Sequence, residues 1–259
     1  MNTAQTRLAV ADLTATLATD FDVPALLHAV AEHACQCFDA VSAAVILLDK
    51  RADSSGIQIV AEASREDTVA DPRLHISGPG LTSARDGAVA MITDIDQPDE
   101  GARWPDYRQR ARAAGMRSMR AFPVKAMTEP LGSVVVHADE PWGNERPNDF
   151  GQILADLTAI ALSMGTEHGR VSTTADTVAA VLDGTSVIAT AVGILAEYFD
   201  LDLDAARARL RKLARAHQST PTEQAAAIVD AQNTNPTDPG AVPALHIPDE
   251  PVAPPHIDR

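Results

Sequence analysis

Apolar residues recur three and four positions apart over residues 8–17, the spacing of one helical face. A second helix follows. Asp22 suits its N-cap, Pro24 its first turn, and Leu26, Leu27, Val30, Ala34 and Phe38 its apolar side. The period then changes. Ser42–Leu48 is a β-branched and aliphatic run, and residues 57–61 alternate isoleucine with polar residues, which predicts two strands, the second with one wet face. Gly78-Pro79-Gly80 reads as a loop before a short helical stretch to Arg85, punctuated by Asp86-Gly87. A strand is predicted over 89–92, a helix over 106–114, and two strands over 118–124 and 131–137 joined by a polar turn around 128–130. Helical periodicity returns over 150–162. The order predicts an α+β domain in which helices flank a mostly antiparallel sheet.

Beyond residue 165 the pattern is different. Residues 173–181, 187–198, Leu203–Ala216 and 222–230 read as helices, and no alternating run long enough for a strand is present. Residues 231–259 hold seven prolines: Pro236, Pro239, Pro243, Pro248, Pro251, Pro254 and Pro255. Such a stretch holds neither regular helix nor central strand. It is expected to be a mostly disordered acidic tail, or else an extended arm packed on a neighbour, with Leu245 and Ile247, besides Val242, Val252 and Ile257, as anchors. The expected organisation is therefore a domain over 1–165, a small all-helical domain over 166–231 and a Pro-rich tail over 232–259.

Composition narrows the functional classes. The 259 residues carry 36 acidic and 21 basic side chains, a formal net charge of -15, so a cationic coat for nucleic acid over the whole surface is excluded while a local basic patch is not. Aromatics are only 3%, so the core must be built mainly from Ala, Val, Leu and Ile. Two cysteines make no disulfide framework. No uncharged run approaches the roughly 20 apolar residues of a membrane span, and the N-terminus lacks a signal-peptide core. The expected compartment is the cytoplasm, with no membrane partner.

The motifs of catalysis are missing. Gly78-Pro79-Gly80 lacks the Lys and Ser/Thr of a phosphate loop, and neither a Gly-x-Ser-x-Gly elbow nor a His-Glu-x-x-His helix occurs. Cys35 and Cys37, two apart on a helix, diverge; His33 and Cys37 share a face but lack two further convergent ligands. The chain is expected to be no enzyme and to hold no metal or cofactor.

Two families are resembled. The stretch Gly78-Pro79-Gly80-Leu81, with Ala84 and Gly87, then Ile92, Asp94, Arg103-Trp104-Pro105, Gly115-Met116-Arg117-Ser118, Phe122-Pro123-Val124 and Leu131-Gly132, resembles a GAF domain over about residues 8–163. Ile188, Ala191, Gly193-Ile194-Leu195, Ala205-Ala206, Leu210, Leu213-Ala214, Ala225, Ile228 and Val229 resemble an ANTAR domain, the three-helix RNA-binding module of transcription antiterminators, over about residues 171–231. The whole resembles actinobacterial GAF and ANTAR regulators. That resemblance implies a homodimeric sensor whose helical module binds paired hairpins in nascent RNA. A GAF ligand, a small molecule of unidentified class, would lie between sheet and helices, with Leu81, Ile92, Trp104, Met116 and Phe122 as candidate walls; the alternative is a filled core.

The helical module departs from its family at four basic positions. Thr185 stands where an Arg is usual, Val192 where a Lys is usual, and Gln218-Ser219-Thr220-Pro221 where the family carries Asn-Arg-Lys-Leu. The basic residues that remain are Arg207, Arg209, Arg211, Lys212 and Arg215, of which Arg207, Arg211 and Arg215 form an i, i+4 stripe. That stripe suits an RNA backbone, or else a solvated face paired with Glu197, Asp202 or Asp204. Tyr198 is a candidate for base stacking, or else it closes a helix junction beside Phe199. The expectation is a signal-responsive antitermination regulator. The alternative is a sensory or protein-interaction module whose helical domain has lost RNA binding.

Overall fold

Strands β1 (Ser42–Leu48), β4 (Ser118–Ala126) and β5 (Glu129–Ala138) are apolar on both faces, so each must be covered from two sides. The computed structural model describes residues 3–19, 21–49, 56–65, 68, 71–97, 99–100, 102–164, 166–167, 170–171, 174–234 and 242–248. With β2 (Ile57–Ser64) and β3 (Ala90–Ile92) these strands form a five-stranded antiparallel sheet in the order β2-β1-β5-β4-β3. Side chains alternate across it. Ala43, Val45, Leu47, Phe122, Val124, Val134 and Val136 meet helices α1 (Thr3–Leu17), α2 (Val23–Cys37) and α6 (Asn148–Met164). Ile46, Met119, Ala121 and Val135 face the other way, towards α3 (Pro72–His75), α4 (Gly78–Asp86) and α5 (Pro105–Ala113).

Local chemistry sets these elements. The Asp22 side chain accepts from the Ala25 N–H and caps α2, with Pro24 in the first turn as the sequence predicts. Gly78-Pro79-Gly80, expected as a loop, is instead the first turn of α4, because Pro79 is pre-set for a first helical turn that needs no N–H from it. Both glycines are required sterically. Gly78 has φ +55° and a Cβ on it would lie 2.5 Å from Tyr107 Cγ, while a Cβ on Gly80 would lie 2.3 Å from the His75 carbonyl oxygen. The short helix α3 has no apolar period to announce it; its signal is Asp71, whose carboxylate accepts from the Arg73 N–H, followed by Pro72.

Helices predicted separately over 173–181 and 187–198 are one continuous helix, α7 (Thr174–Phe199). Gly184 sits inside it, and a mid-helix glycine costs only about 1 kcal/mol relative to alanine. Packing on both sides of Gly184 offsets that cost. Val178, Val181 and Leu182 are buried with the sheet-domain core, and Ala191, Val192 and Leu195 with a second cluster. The first compact unit therefore runs to Leu182, where a boundary at residue 165 is expected from sequence, and the second is Asp183–Arg259. A two-residue ladder, β6 (Thr166–Glu167) with β7 (Arg170–Val171), precedes α7 where no strand is predicted. By length and composition alone α7 could cross a membrane, although 39% of its most apolar window is buried in these two clusters.

The second unit comprises the C-terminal part of α7, α8 (Leu203–Ala216), α9 (Pro221–Thr234) and a 3-10 turn at Pro243–Leu245. Asp202 caps α8 by accepting from the Ala205 N–H at 2.7 Å. Thr220 and Glu223 form a reciprocal capping box on α9. The Pro-rich tail is corrected in part. Residues 242–248 are ordered on the unit, with Val242 and Leu245 buried in its core, because two apolar anchors and side-chain donors to the backbone hold a segment that prolines keep from forming a long helix. The expected disorder of residues 235–241 and 249–259, with the candidate anchors Val252 and Ile257, falls outside the described residues.

The contribution of α7 to the first core has a measurable consequence. A chain of residues 1–182 should be more stable than one of residues 1–165 by at least about 2 kcal/mol, since full burial of one Val or Leu is worth roughly 1.5–3 kcal/mol. Urea denaturation of the two chains compares them; equal midpoints would show that Val178, Val181 and Leu182 pack without stabilising the sheet domain.

Candidate functional site

Helix α8 divides its cations between two flanks. Ala206, Leu210, Leu213 and Ala214 are buried, and the positions one residue beyond them, Arg207, Arg211 and Arg215, form the predicted stripe along one edge. Arg207 and Arg215 are exposed, Arg211 is half-buried, and Lys212 lies on the solvent side next to Arg215. Arg207 also approaches the highly exposed Asp204 at 3.6 Å, a pairing worth little in water. Arg209 leaves the group. Two positions from Arg207 and Arg211, it projects from the opposite flank, where its guanidinium stacks 3.6 Å above the Phe199 ring and donates to the Leu245 carbonyl at 3.4 Å. Tyr198 is half-buried, edge-on to Phe199 at 4.6 Å with interplanar angle 90°. It therefore closes the helix junction, and it is no freely presented stacking platform.

The neutral positions have structural duties. Val192 is 4% exposed and belongs to the core of the unit. The Ser219 hydroxyl donates to Gln224 Oε1 at 3.1 Å and Thr220 serves the α9 cap.

The five candidate ligand walls do not converge. Ile92 and Met116 are buried together on the α4–α5 side of the sheet, and Trp104 packs against them while its indole N–H donates to Thr82 Oγ1 at 3.0 Å. Leu81 is half-buried on α4. Phe122 lies on the opposite face, stacked on Phe38 at 6.1 Å, because it sits one residue out of phase with Met119 and Ala121. The motif residues Asp94 and Arg117 prove to be partners: Arg117 Nη2 meets both carboxylate oxygens at 2.9 and 3.1 Å. The Asp96 backbone N–H, together with Arg117, holds the Asp94 carboxyl below the usual range.

Sequence reasoning missed a buried polar cluster on this same side. His75 of α3 and His137 of β5 are 1% and 0% exposed, with ring centroids 4.9 Å apart. His75 Nε2 donates to Glu62 Oε1 at 3.1 Å, and His137 Nε2 is hydrogen-bonded to the Tyr107 hydroxyl at 2.8 Å. The Nδ1 atoms of both histidines are buried without a hydrogen-bond partner. Burial pushes the Tyr107 hydroxyl far up, so it stays protonated. Burial, then the neighbouring His75, holds His137 well below the ordinary histidine range. The one available signal was His137 in an otherwise apolar strand. No sequence period links it to residues 62, 75 and 107.

Cys35, Cys37, His28 and His33 have structural partners or burial. Cys35 Sγ donates to the Ala40 carbonyl at 3.4 Å, and burial raises its thiol to about 11 and that of Cys37 in the same direction. His33 pairs with Asp12 and His28 with Glu32. Among the described residues no group of three or more His, Cys, Asp or Glu side chains could hold a metal.

His137 makes the stability of the sheet domain depend on pH. It is neutral when folded and titrates near 6.5 when unfolded, so in acid the unfolded chain binds the extra proton. Its contribution is complete above about pH 7.5 and falls as pH drops through the unfolded value, losing on the order of 1 kcal/mol by about pH 5.5. Urea denaturation at the two pH values measures the loss, and His137→Gln should reduce it by that amount. An undiminished loss would assign the effect to another group.

A scan of protein-family models matches the GAF domain over residues 22–162 and the ANTAR domain over residues 176–229. No curated protein matches the sequence. Among solved structures, the phycoerythrobilin-bound GAF domain of a cyanobacterial phytochrome is similar at 15% identity and TM-score 0.50, over 62% of this chain and 95% of that one. The chromophore-binding domain of an unusual bacteriophytochrome from R. palustris gives 12% and 0.47, over 60% of this chain and only 59% of its own length. Free methionine-R-sulfoxide reductase from Neisseria meningitidis, in complex with its substrate, gives 15% and 0.46, over 60% and 87%. At these identities the likeness is one of fold. GAF is a sensor domain and ANTAR the RNA-binding module of antiterminators, regulatory domains both. With its five-stranded sheet covered on both faces and a helical unit after it in the chain, the chain belongs to the GAF domain family and carries a C-terminal ANTAR domain.

Proposed function

We propose that the protein is a signal-responsive transcription antitermination regulator that binds paired hairpins in nascent RNA, and that it works in the cytoplasm. The observation that carries the reading is the edge of α8, where Arg207, Arg211 and Arg215 run beside Lys212 along a domain of RNA-binding type. In a chain of net charge -15 such a strip concentrates the attraction for phosphate at one place. The GAF domain supplies the input, from a small molecule or a partner, on the side that carries the unpartnered His75 and His137 nitrogens.

A second reading, a sensory or protein-interaction module that no longer binds RNA, is favoured by one observation. Val192 is buried, the Ser219 hydroxyl is bonded to Gln224 and Thr220 caps α9, so three of the usual basic positions are built into the fold as neutral residues.

We also propose a homodimer joined through α6. Its buried side covers the sheet, while Ile153, Ile160 and Met164 stand 42%, 45% and 51% exposed along the same helix.

Replacing Arg207, Arg211 and Arg215 together with Gln should weaken binding to an RNA of two adjacent hairpins with unpaired loops. It should also flatten the dependence of log affinity on log salt by up to about three units. Fluorescence anisotropy at two salt concentrations reads both. Equal binding by wild type and variant would move the contact elsewhere, and no binding by either would leave the second reading. Sedimentation equilibrium at micromolar protein should give twice 27.3 kDa, falling towards the monomer in Ile153→Asp/Ile160→Asp. A wild-type monomer throughout would end the dimer proposal.

A further inference from the structure

Residues 242–248 lie as a strap on the ANTAR unit, held by apolar anchors and by three side-chain donors. Three side chains aim donors at three successive carbonyls of the strap. Gln224 Nε2 reaches Ala244 O at 2.8 Å, Arg209 Nη2 reaches Leu245 O at 3.4 Å, and His217 Nε2 reaches His246 O at 2.9 Å. Beside them stand two aromatic rings, Phe199 under the Arg209 guanidinium and Tyr198 edge-on to Phe199. Beneath are Val242 and Leu245, which plug the apolar floor at 5% and 2% exposure.

A row of donors that includes a cation is the equipment for a nucleic-acid strand, whose phosphates, 2′-hydroxyls and base edges accept. The strap fills it imperfectly. His246 rests near Tyr198 and Phe199 at 6.4 and 6.2 Å, and its Nε2 is buried without a hydrogen-bond partner. A buried, unpaired nitrogen opposes closure, and lifting the strap returns it to water. In sequence the strap lies between Asp238 and Asp249-Glu250.

We propose that residues 242–248 are an intramolecular competitor for RNA: the surface of Arg209, His217 and Gln224 is a nucleic-acid contact surface that the strap covers until RNA displaces it. This rests on the RNA-binding reading above and extends it. The Arg207–Arg211–Arg215 edge attracts the backbone, while the strap-covered surface on the other flank of α8 is the regulated part.

A strap closed in about 90–99% of molecules weakens apparent binding by about 10- to 100-fold. The test compares the full chain, a chain ending at Thr234 and full-length Leu245→Asp, using a fluorescein-labelled RNA of two adjacent hairpins with unpaired loops. Circular dichroism reports on folding. Both altered chains should bind about 10- to 100-fold more tightly, and Arg209→Gln in the shortened chain should remove the gain. Hydrogen exchange on the unaltered protein decides the matter even if both altered chains unfold: saturating RNA should lower the protection of amides 242–248. Unchanged or increased protection, or equal or weaker binding by folded altered chains, overturns the strap proposal while leaving RNA binding in place. Failure of every chain to bind at low salt removes the RNA-binding reading itself, and the strap proposal with it.

Discussion

Burial of the sheet on both faces is the constraint on which the rest of the first unit depends. A strand such as β1, with Val45 and Leu47 on one side and Ile46 on the other, is stable only between two apolar layers. Helices α1, α2 and α6 supply one layer and α3, α4 and α5 the other. The chain has few aromatics, and four of them, Phe38, Phe122, Trp142 and Phe150, meet in one cluster under α2 and α6. Large rings at that point fill volume that small aliphatic residues would leave empty. Arg120 and Arg146 then lie against Trp142 and tie the segment after β5 to backbone carbonyls.

The opposite layer is built differently. Its helices are short, it closes around glycines that admit Tyr107 and the His75 carbonyl, and it encloses histidines whose Nδ1 atoms find no partner. Buried groups of this kind cost stability wherever they occur. They concentrate on the side of the sheet that faces short helices. A change in protonation or in hydrogen bonding there acts directly on α3, α5, β2 and β5.

In the ANTAR unit one helix has three tasks. The inner side of α8 makes the core, one edge carries the cationic stripe, and the other edge holds the C-terminal strap through Arg209. Five cations within nine residues look equivalent in the sequence. The helical period separates them, and Phe199 and the Leu245 carbonyl claim one of them.

Much of the fold was legible because local signals and burial agree. Asp22 with Pro24 started α2, β-branched runs marked β1 and β5, and alternation placed the strands. Where they disagreed, tertiary packing decided. Gly184 reads as a break, yet α7 passes through it because Val181 and Leu182 on one side and Ala191 and Leu195 on the other are each buried. Prolines around Leu245 read as disorder, yet two anchors and three donors order the segment. The sequence alone determined the α+β class, the helical unit that follows it in the chain and the cationic edge of α8, since periodicity and charge are properties of neighbours along the chain. Only the tertiary structure placed Phe122 and Ile92 on opposite faces, joined Glu62, His75, Tyr107 and His137, and brought residue 245 onto Arg209, because such contacts join residues that no period relates.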